Sequence, residues 1–131
     1  MFRYLFKSRS DCADGKVENA LDVHLRQPAG VVYHDPDLMA LARAGFAESA
    51  AVARAMGVKL PDDIVEWQVK NHLGFPAGMY ASMYHDLARG KRLELDSLSG
   101  LVVRKGRELG VATPFHSMAY ACLKPYINGA R

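Results

Sequence analysis

The feature that most constrains this chain is its punctuation. Between residues 35 and 125, helix-starting and helix-stopping residues recur at spacings that leave room for helices and little else. Asp35-Pro36 joins a side chain able to cap a helix N-terminus to a proline that needs no N–H at the first helical position. Pro61 restarts the pattern with Asp62 and Asp63, carboxylates placed where the helix dipole favours them. Thr113-Pro114 repeats it. Gly57, Gly90 and Gly110 stand where the intervening segments must stop, and Gly57 is expected in the left-handed conformation.

The apolar spacing agrees. Leu38, Leu41, Ala42, Gly45, Phe46, Ser49, Val52, Ala53 and Met56 recur mostly at steps of three and four, giving one apolar or small-residue face. Ile64, Val65, Trp67, Val69 and Leu73 supply a second helix, which Gly74-Phe75-Pro76-Ala77-Gly78 breaks or kinks. Met79, Tyr80, Met83, Tyr84 and Leu87 predict a helix over 77–88, stopped by Gly90 and turned by Lys91-Arg92. Leu95, Leu98, Leu101, Val102 and Leu109 predict a long helix over 93–109. Phe115, Met118, Ala119, Cys122 and Leu123 carry a last one to Pro125. No segment alternates with period two, and there is no internal repeat. The expected class is all-α: a compact bundle of about five to seven helices with mostly antiparallel neighbours.

Residues before 31 read poorly. Residues 1–7 fit a short strand or a frayed helix, 8–15 a turn, and 16–25 a short helix with poor apolar spacing. Gln27-Pro28-Ala29-Gly30 reads as a loop. The division drawn from sequence is an N-terminal segment, 1–30, and a helical domain, 31–131.

A chain of 131 residues is one domain. Its net charge of +3 is interspersed, with Arg89, Lys91 and Arg92 the densest group. These, with Arg104, Lys105 and Arg107, read as a solvated basic face and not a nucleic-acid footprint. Cys12 and Cys122 lie far apart with no C-x-x-C, which predicts two free thiols in a reducing, cytoplasmic compartment. No apolar run approaches the ~20 residues needed to cross a membrane. The opening MFRYLFKSRS lacks the apolar segment and cleavage site of a signal peptide.

Chemistry concentrates between Met79 and Gly110. Two helices joined by a basic turn would bring Ser82, Asp86, Glu94 and Asp96 close to that turn. Read singly, each signal is ordinary. Glu94 is a first-turn carboxylate, worth ~0.3–1 kcal/mol against the dipole, and Ser82 and Asp86 share a helix face. His24, His34, His72, His85 and His116 form no i,i+4 pair and no H-E-x-x-H, so no metal site is expected. G-x-S-x-G, a Walker loop and G-x-G-x-x-G are all absent.

The joint spacing is more specific. Ser82-Met83-x-x-Asp86-Leu87-x-x-Gly90-x-x-x-Glu94-x-Asp96-x-Leu98-x-Gly100 resembles the C-terminal helical domain of the ketopantoate reductases (2-dehydropantoate 2-reductases), a fold like the C-terminal part of 6-phosphogluconate dehydrogenase. Gly106-Arg107-Glu108-Leu109-Gly110-Val111-Ala112-Thr113-Pro114 and Tyr120-Ala121-x-Leu123-Lys124 continue the likeness, as does the alanine-rich helix carrying Glu48 upstream. It covers about residues 30–126 and is strongest over 79–124.

The resemblance implies a helical domain for substrate binding and dimerisation in an NADPH-dependent reduction of 2-dehydropantoate to pantoate. Ser82 stands at the family's substrate-contacting serine, and Glu94 at its active-site glutamate, here the catalytic candidate. The family's lysine, in a K-x-x-x-N-x-x-x-N pattern, has no counterpart: Lys16 has Ala20 and His24 at those offsets. Met79 replaces the family asparagine before the serine. No cofactor is expected to bind these residues alone, since NADP(H) belongs to the family's Rossmann domain. The expected partners are a second copy of the chain or a separate Rossmann-domain chain, with a 2-dehydropantoate-like acid as ligand and no nucleic acid or membrane. A truncated gene product, a cloned domain and half of a split enzyme all fit, each inactive alone. The alternative is a non-catalytic interaction module that kept the helical fold.

Overall fold

The computed structural model describes residues 21 and 23–129, and every described regular element is helical. In chain order they are α1 (Ala29–His34), α2 (Pro36–Ala55), α3 (Ile64–Leu73), α4 (Ser82–Ala88), a 3-10 turn (Glu94–Asp96), α5 (Ser99–Leu109), α6 (Pro114–Leu123) and a second 3-10 turn (Lys124–Tyr126). The all-α expectation holds. The readings of residues 1–20, with Cys12 and Lys16, lie outside the described residues; Cys122 is free and exposed.

Helix α2 is the axis of the bundle, packing against α1, α3, α5 and α6. It starts where the sequence placed it. Asp35 accepts the backbone N–H of Asp37 and of Leu38, both at 2.9 Å, with Pro36 at the first position. Its small residues let neighbours approach, and Ala42, Gly45, Phe46, Ala50, Val52 and Ala53 are buried. Leu41, expected on that face, is exposed. Gly57, Gly90 and Gly110 end their segments with positive φ.

Among the described residues, three apolar clusters fill the interior. The first joins α1, α2, α3 and the start of α6 through Val32, Tyr33, Phe46, Val69 and Phe115. The second joins α2 to α5 through Val52, Ala53 and Val102. The third gathers Val23, Met83, Leu93, Leu95 and Leu123 beneath the segment that joins α4 to α5.

Four boundaries differ from the sequence reading. Helix α1 begins at Ala29, inside the expected 27–30 loop. Helix α3 begins at Ile64, after a turn led by Pro61. Helix α4 begins at Ser82 and not near 77. The carbonyls of Ala77 and Met79 are taken by the N–H groups of Gly30 and Ala29, at 2.9 and 2.8 Å, so residues 77–81 serve the start of α1 instead of a helix of their own. The predicted long helix over 93–109 is broken. Leu93 donates its N–H to Ile127 O at 2.9 Å, and Leu93 and Leu95 both turn into the third cluster, which leaves a 3-10 turn before α5. Helix α5 packs instead against α6 and α2. Helices α4 and α5, expected to pair across the basic turn, barely touch.

Candidate functional site

Glu94 opens the 3-10 turn between Leu93 and Leu95, whose side chains are 3% and 0% exposed. Two buried leucines flanking one exposed carboxylate give alternation over three residues: the leucines anchor the turn, and Glu94 faces water. Its carbonyl accepts from Ser97 Oγ at 3.0 Å and from the Leu98 N–H at 3.2 Å. Arg92, Leu93, Glu94, Asp96 and Ser97 line an open cleft of about 310 Å³. It offers a carboxylate that accepts a hydroxyl or ammonium, beside a guanidinium that donates to an anion.

Asp96 does different work. Its Oδ1 accepts the Tyr120 hydroxyl at 2.7 Å, and its carbonyl accepts from Arg104 Nη2 at 2.8 Å. The Arg104–Asp96 ion pair, at 3.8 Å and half-exposed, adds little by itself. The bond to Asp96 comes first among the causes that hold the Tyr120 phenol above its ordinary range, followed by partial burial and the carboxylate's charge. Gly100 makes room for this arrangement: a Cβ there would stand 2.7 Å from Tyr120 Cε2.

Ser82 is exposed at the first turn of α4, and Asp86 is half-buried one turn on. Tyr80 and Tyr84 stack beside it at 4.4 Å. Ser82 does not line the cleft that Glu94 lines. Spacing thus places both candidates on the surface, on separate elements around the basic turn. Among the described residues no group of His, Cys, Asp and Glu is arranged to hold a metal ion.

Sequence reading missed two side chains that carry structure here. Glu48 accepts the N–H of Phe115 at 2.8 Å and of His116 at 3.0 Å, closing the N-terminus of α6 in place of Thr113, whose side chain makes no capping bond. Burial pushes the Glu48 carboxyl up, and the two N–H bonds offset part of that. His116 is fully buried; its Nε2 lies 3.1 Å from Gly45 O and 2.9 Å from Ser49 Oγ, and its Nδ1 3.3 Å from Ser99 Oγ. A carbonyl only accepts, so this bonding assigns the proton to Nε2 and leaves Nδ1 to accept from Ser99. The sequence partners are 67 or more residues apart for Glu48 and 17 or more for His116, beyond any periodic signal.

The family described as ketopantoate reductase PanE/ApbA C terminal matches residues 16–127. This chain belongs to that family. A 2-dehydropantoate 2-reductase of Caulobacter vibrioides is 34% identical over 104 residues, which are 79% of this chain and 36% of the relative. The crystal structure of a PanE/ApbA family ketopantoate reductase from Ralstonia eutropha JMP134 aligns with a TM-score of 0.80 at 34% identity, covering 92% of this chain and 40% of that one. A dimeric ketopantoate reductase from Staphylococcus aureus aligns equally well, TM-score 0.80 at 26% identity, over 90% of this chain and 42% of that one. The chain spans about a third of the length of the curated relatives it matches. Ser82, on the first turn of α4, and Glu94, on the 3-10 turn, both lie within the matched residues.

Proposed function

We propose that these residues form the substrate-side half of an NADPH-dependent reductase acting on 2-dehydropantoate, with Ser82 contacting the keto acid and Glu94 in the active site. The observation that supports this reading is Glu94 itself: an exposed carboxylate on a turn fixed by two buried leucines, in the stretch whose spacing resembles the family's. A serine hydroxyl donates to a substrate carboxylate, and Glu94 accepts a substrate hydroxyl or fixes a neighbouring ammonium.

The dinucleotide does not fit the residues present. No strand occurs among the described residues, and no G-x-G-x-x-G in the sequence, so they build no strand–loop–helix cradle for a pyrophosphate. NADPH supplies the hydride in such a reaction, and its site is assigned to a Rossmann domain outside these 131 residues. The same domain, or a second copy of this chain, is the partner proposed for the bundle, consistent with its exposed Leu41, Leu73, Leu109 and Met118.

Calorimetric titration of pantoate and of NADPH into the pure chain tests the reading. Pantoate should bind, and bind more weakly in Ser82→Ala and Glu94→Gln, while NADPH should not bind and should not be oxidised in the presence of 2-dehydropantoate. Failure of pantoate to bind refutes the substrate-side role. Turnover by the 131-residue chain refutes its inactivity.

A further inference from the structure

The motif that carries the resemblance contains Asp96 and Gly100 as well as Glu94; Asp96 lines the same cleft as Glu94, but its carboxylate is engaged within the fold, and Gly100 brings no side chain. Asp96 is half-buried, with Oδ1 occupied by the Tyr120 hydroxyl at 2.7 Å and its carbonyl occupied by Arg104 at 2.8 Å. Gly100 is buried against the Tyr120 ring, where a Cβ would meet Cε2 at 2.7 Å and Arg104 Nη1 at 3.1 Å. The ring is held from another side by Lys124 Nζ, 5.8 Å from its centroid. Tyr120 lies on α6, so through this one hydroxyl α6 grips the last residue of the turn that Glu94 opens.

A 3-10 turn of three residues has little internal restraint. Leu93 and Leu95 fix where it sits, and Leu93 is tied to Ile127 O at 2.9 Å. Those anchors lie on the N-terminal side and in the middle of the turn. Its C-terminal end is followed by Ser97 and Leu98, which lead into α5 with no side-chain cap. That end is closed by the Tyr120 bond to the Asp96 carboxylate, the part-buried member of the closure, together with the half-exposed Arg104 on the Asp96 carbonyl and Ser97 Oγ on the Glu94 carbonyl.

We propose that Tyr120 is a positioning residue for Glu94, acting through Asp96, with Gly100 conserving the space its ring needs. The inference rests on the proposed role of Glu94 for its functional meaning, and on the clamp alone for its structural meaning. The two separate experimentally.

The test is nuclear magnetic resonance on the isotopically labelled 131-residue chain, comparing Tyr120→Phe, Asp96→Ala and Asp96→Asn with the parent. Loss of the clamp should lower backbone order parameters at Glu94 and Asp96 below the rigid value of about 0.85, while buried Leu95, α2 and α5 keep theirs. Pantoate affinity should fall about fivefold, the worth of one hydrogen bond. Asp96→Asn keeps an oxygen to accept the phenol and should restore both; Asp96→Ala should not. Unchanged order at Glu94 and Asp96 in Tyr120→Phe overturns the proposal. If Tyr120→Phe fails to fold, the contrast between Asp96→Ala and Asp96→Asn decides, and equal order in those two overturns it. Absence of pantoate binding in the parent chain refutes the substrate-side reading and leaves the order parameters to decide the clamp.

Discussion

The carboxylate of Glu48, on α2, accepts the backbone N–H of Phe115 at 2.8 Å and so supplies from another helix the cap that α6 lacks in its own sequence. With the Oε2 bond to the His116 N–H at 3.0 Å, it satisfies two of the donors that a helix start leaves unpaired. The interaction ties the bundle's axis to its last helix.

Glu48→Ala should therefore cost about 1–3 kcal/mol, the range for losing a cap made by charge-assisted hydrogen bonds. Glu48→Gln should cost less at neutral pH. It keeps one accepting oxygen, and it removes a charge whose burial pushes the carboxyl upward. A raised carboxylate weakens the fold as pH rises through its folded value, so the Gln variant should gain on the parent with rising pH. Urea unfolding at pH 5 and pH 8 measures both, and an Ala variant as stable as the parent removes the cap from the account.

His116 should make the fold acid-sensitive. Burial holds its pKa down to about 4 from the ordinary 6.5, against a smaller opposing pull from Gly45 O. The depressed base is neutral in the fold, so its contribution is complete above about pH 6.5 and is lost as pH falls toward 4. That depression corresponds to about 3 kcal/mol at full extent. The urea midpoint should fall between pH 6.5 and 4 in the parent. His116→Leu should be less stable at pH 7, because Gly45 O and Ser99 lose their partner, yet should show a flatter pH dependence over that window. A parent midpoint constant over the window would falsify the buried neutral imidazole.

What sequence made legible was local. Asp35, Pro36 and Gly57 bound α2 because capping and left-handed termination act within a few residues, and the all-α class follows from the period of the apolar residues between them. The positions of Ser82 and Glu94 were legible as a spacing. The break at Glu94–Asp96 was not, since it comes from Leu93 bonding Ile127 across the chain and from Tyr120 holding Asp96. The apolar positions Leu95, Leu98, Leu101, Val102 and Leu109 fit a continuous helix over 93–109 until those distant partners are known. The same holds for α4, whose expected first turn is consumed by the start of α1.

Two glycines should respond very differently to alanine. Gly129 has φ +105°, and a Cβ there would overlap Gly90 O, backbone that cannot rotate away. Gly57 has φ +83° with nothing within 4 Å of the added atom. Gly57→Ala should cost only the left-handed strain of about 1–2 kcal/mol. Gly129→Ala adds an overpacking term of about 1–3 kcal/mol and should shift the amide resonances of Gly90 and Lys91, beside the Glu94 turn. Thermal melts with a spectrum of each variant check this, and equal costs would remove the close approach of residues 90 and 129.

Leu95 separates anchoring from clamping. It is completely buried among Val23, Met83, Leu93 and Leu123, so Leu95→Ala should cost about 2–5 kcal/mol through lost transfer energy and the cavity left behind. Because the leucine sits in the middle of the turn, that cavity also frees the backbone on either side, and hydrogen exchange should quicken at Glu94 and Asp96 more than in α2. The Tyr120 hydroxyl is a separate restraint on the same turn. Leu95→Ala combined with Tyr120→Phe should loosen Glu94 beyond the sum of the single changes, since each restraint alone still limits the turn. Strict additivity in exchange rates at Glu94 would mean that the leucine and the tyrosine hold the turn independently.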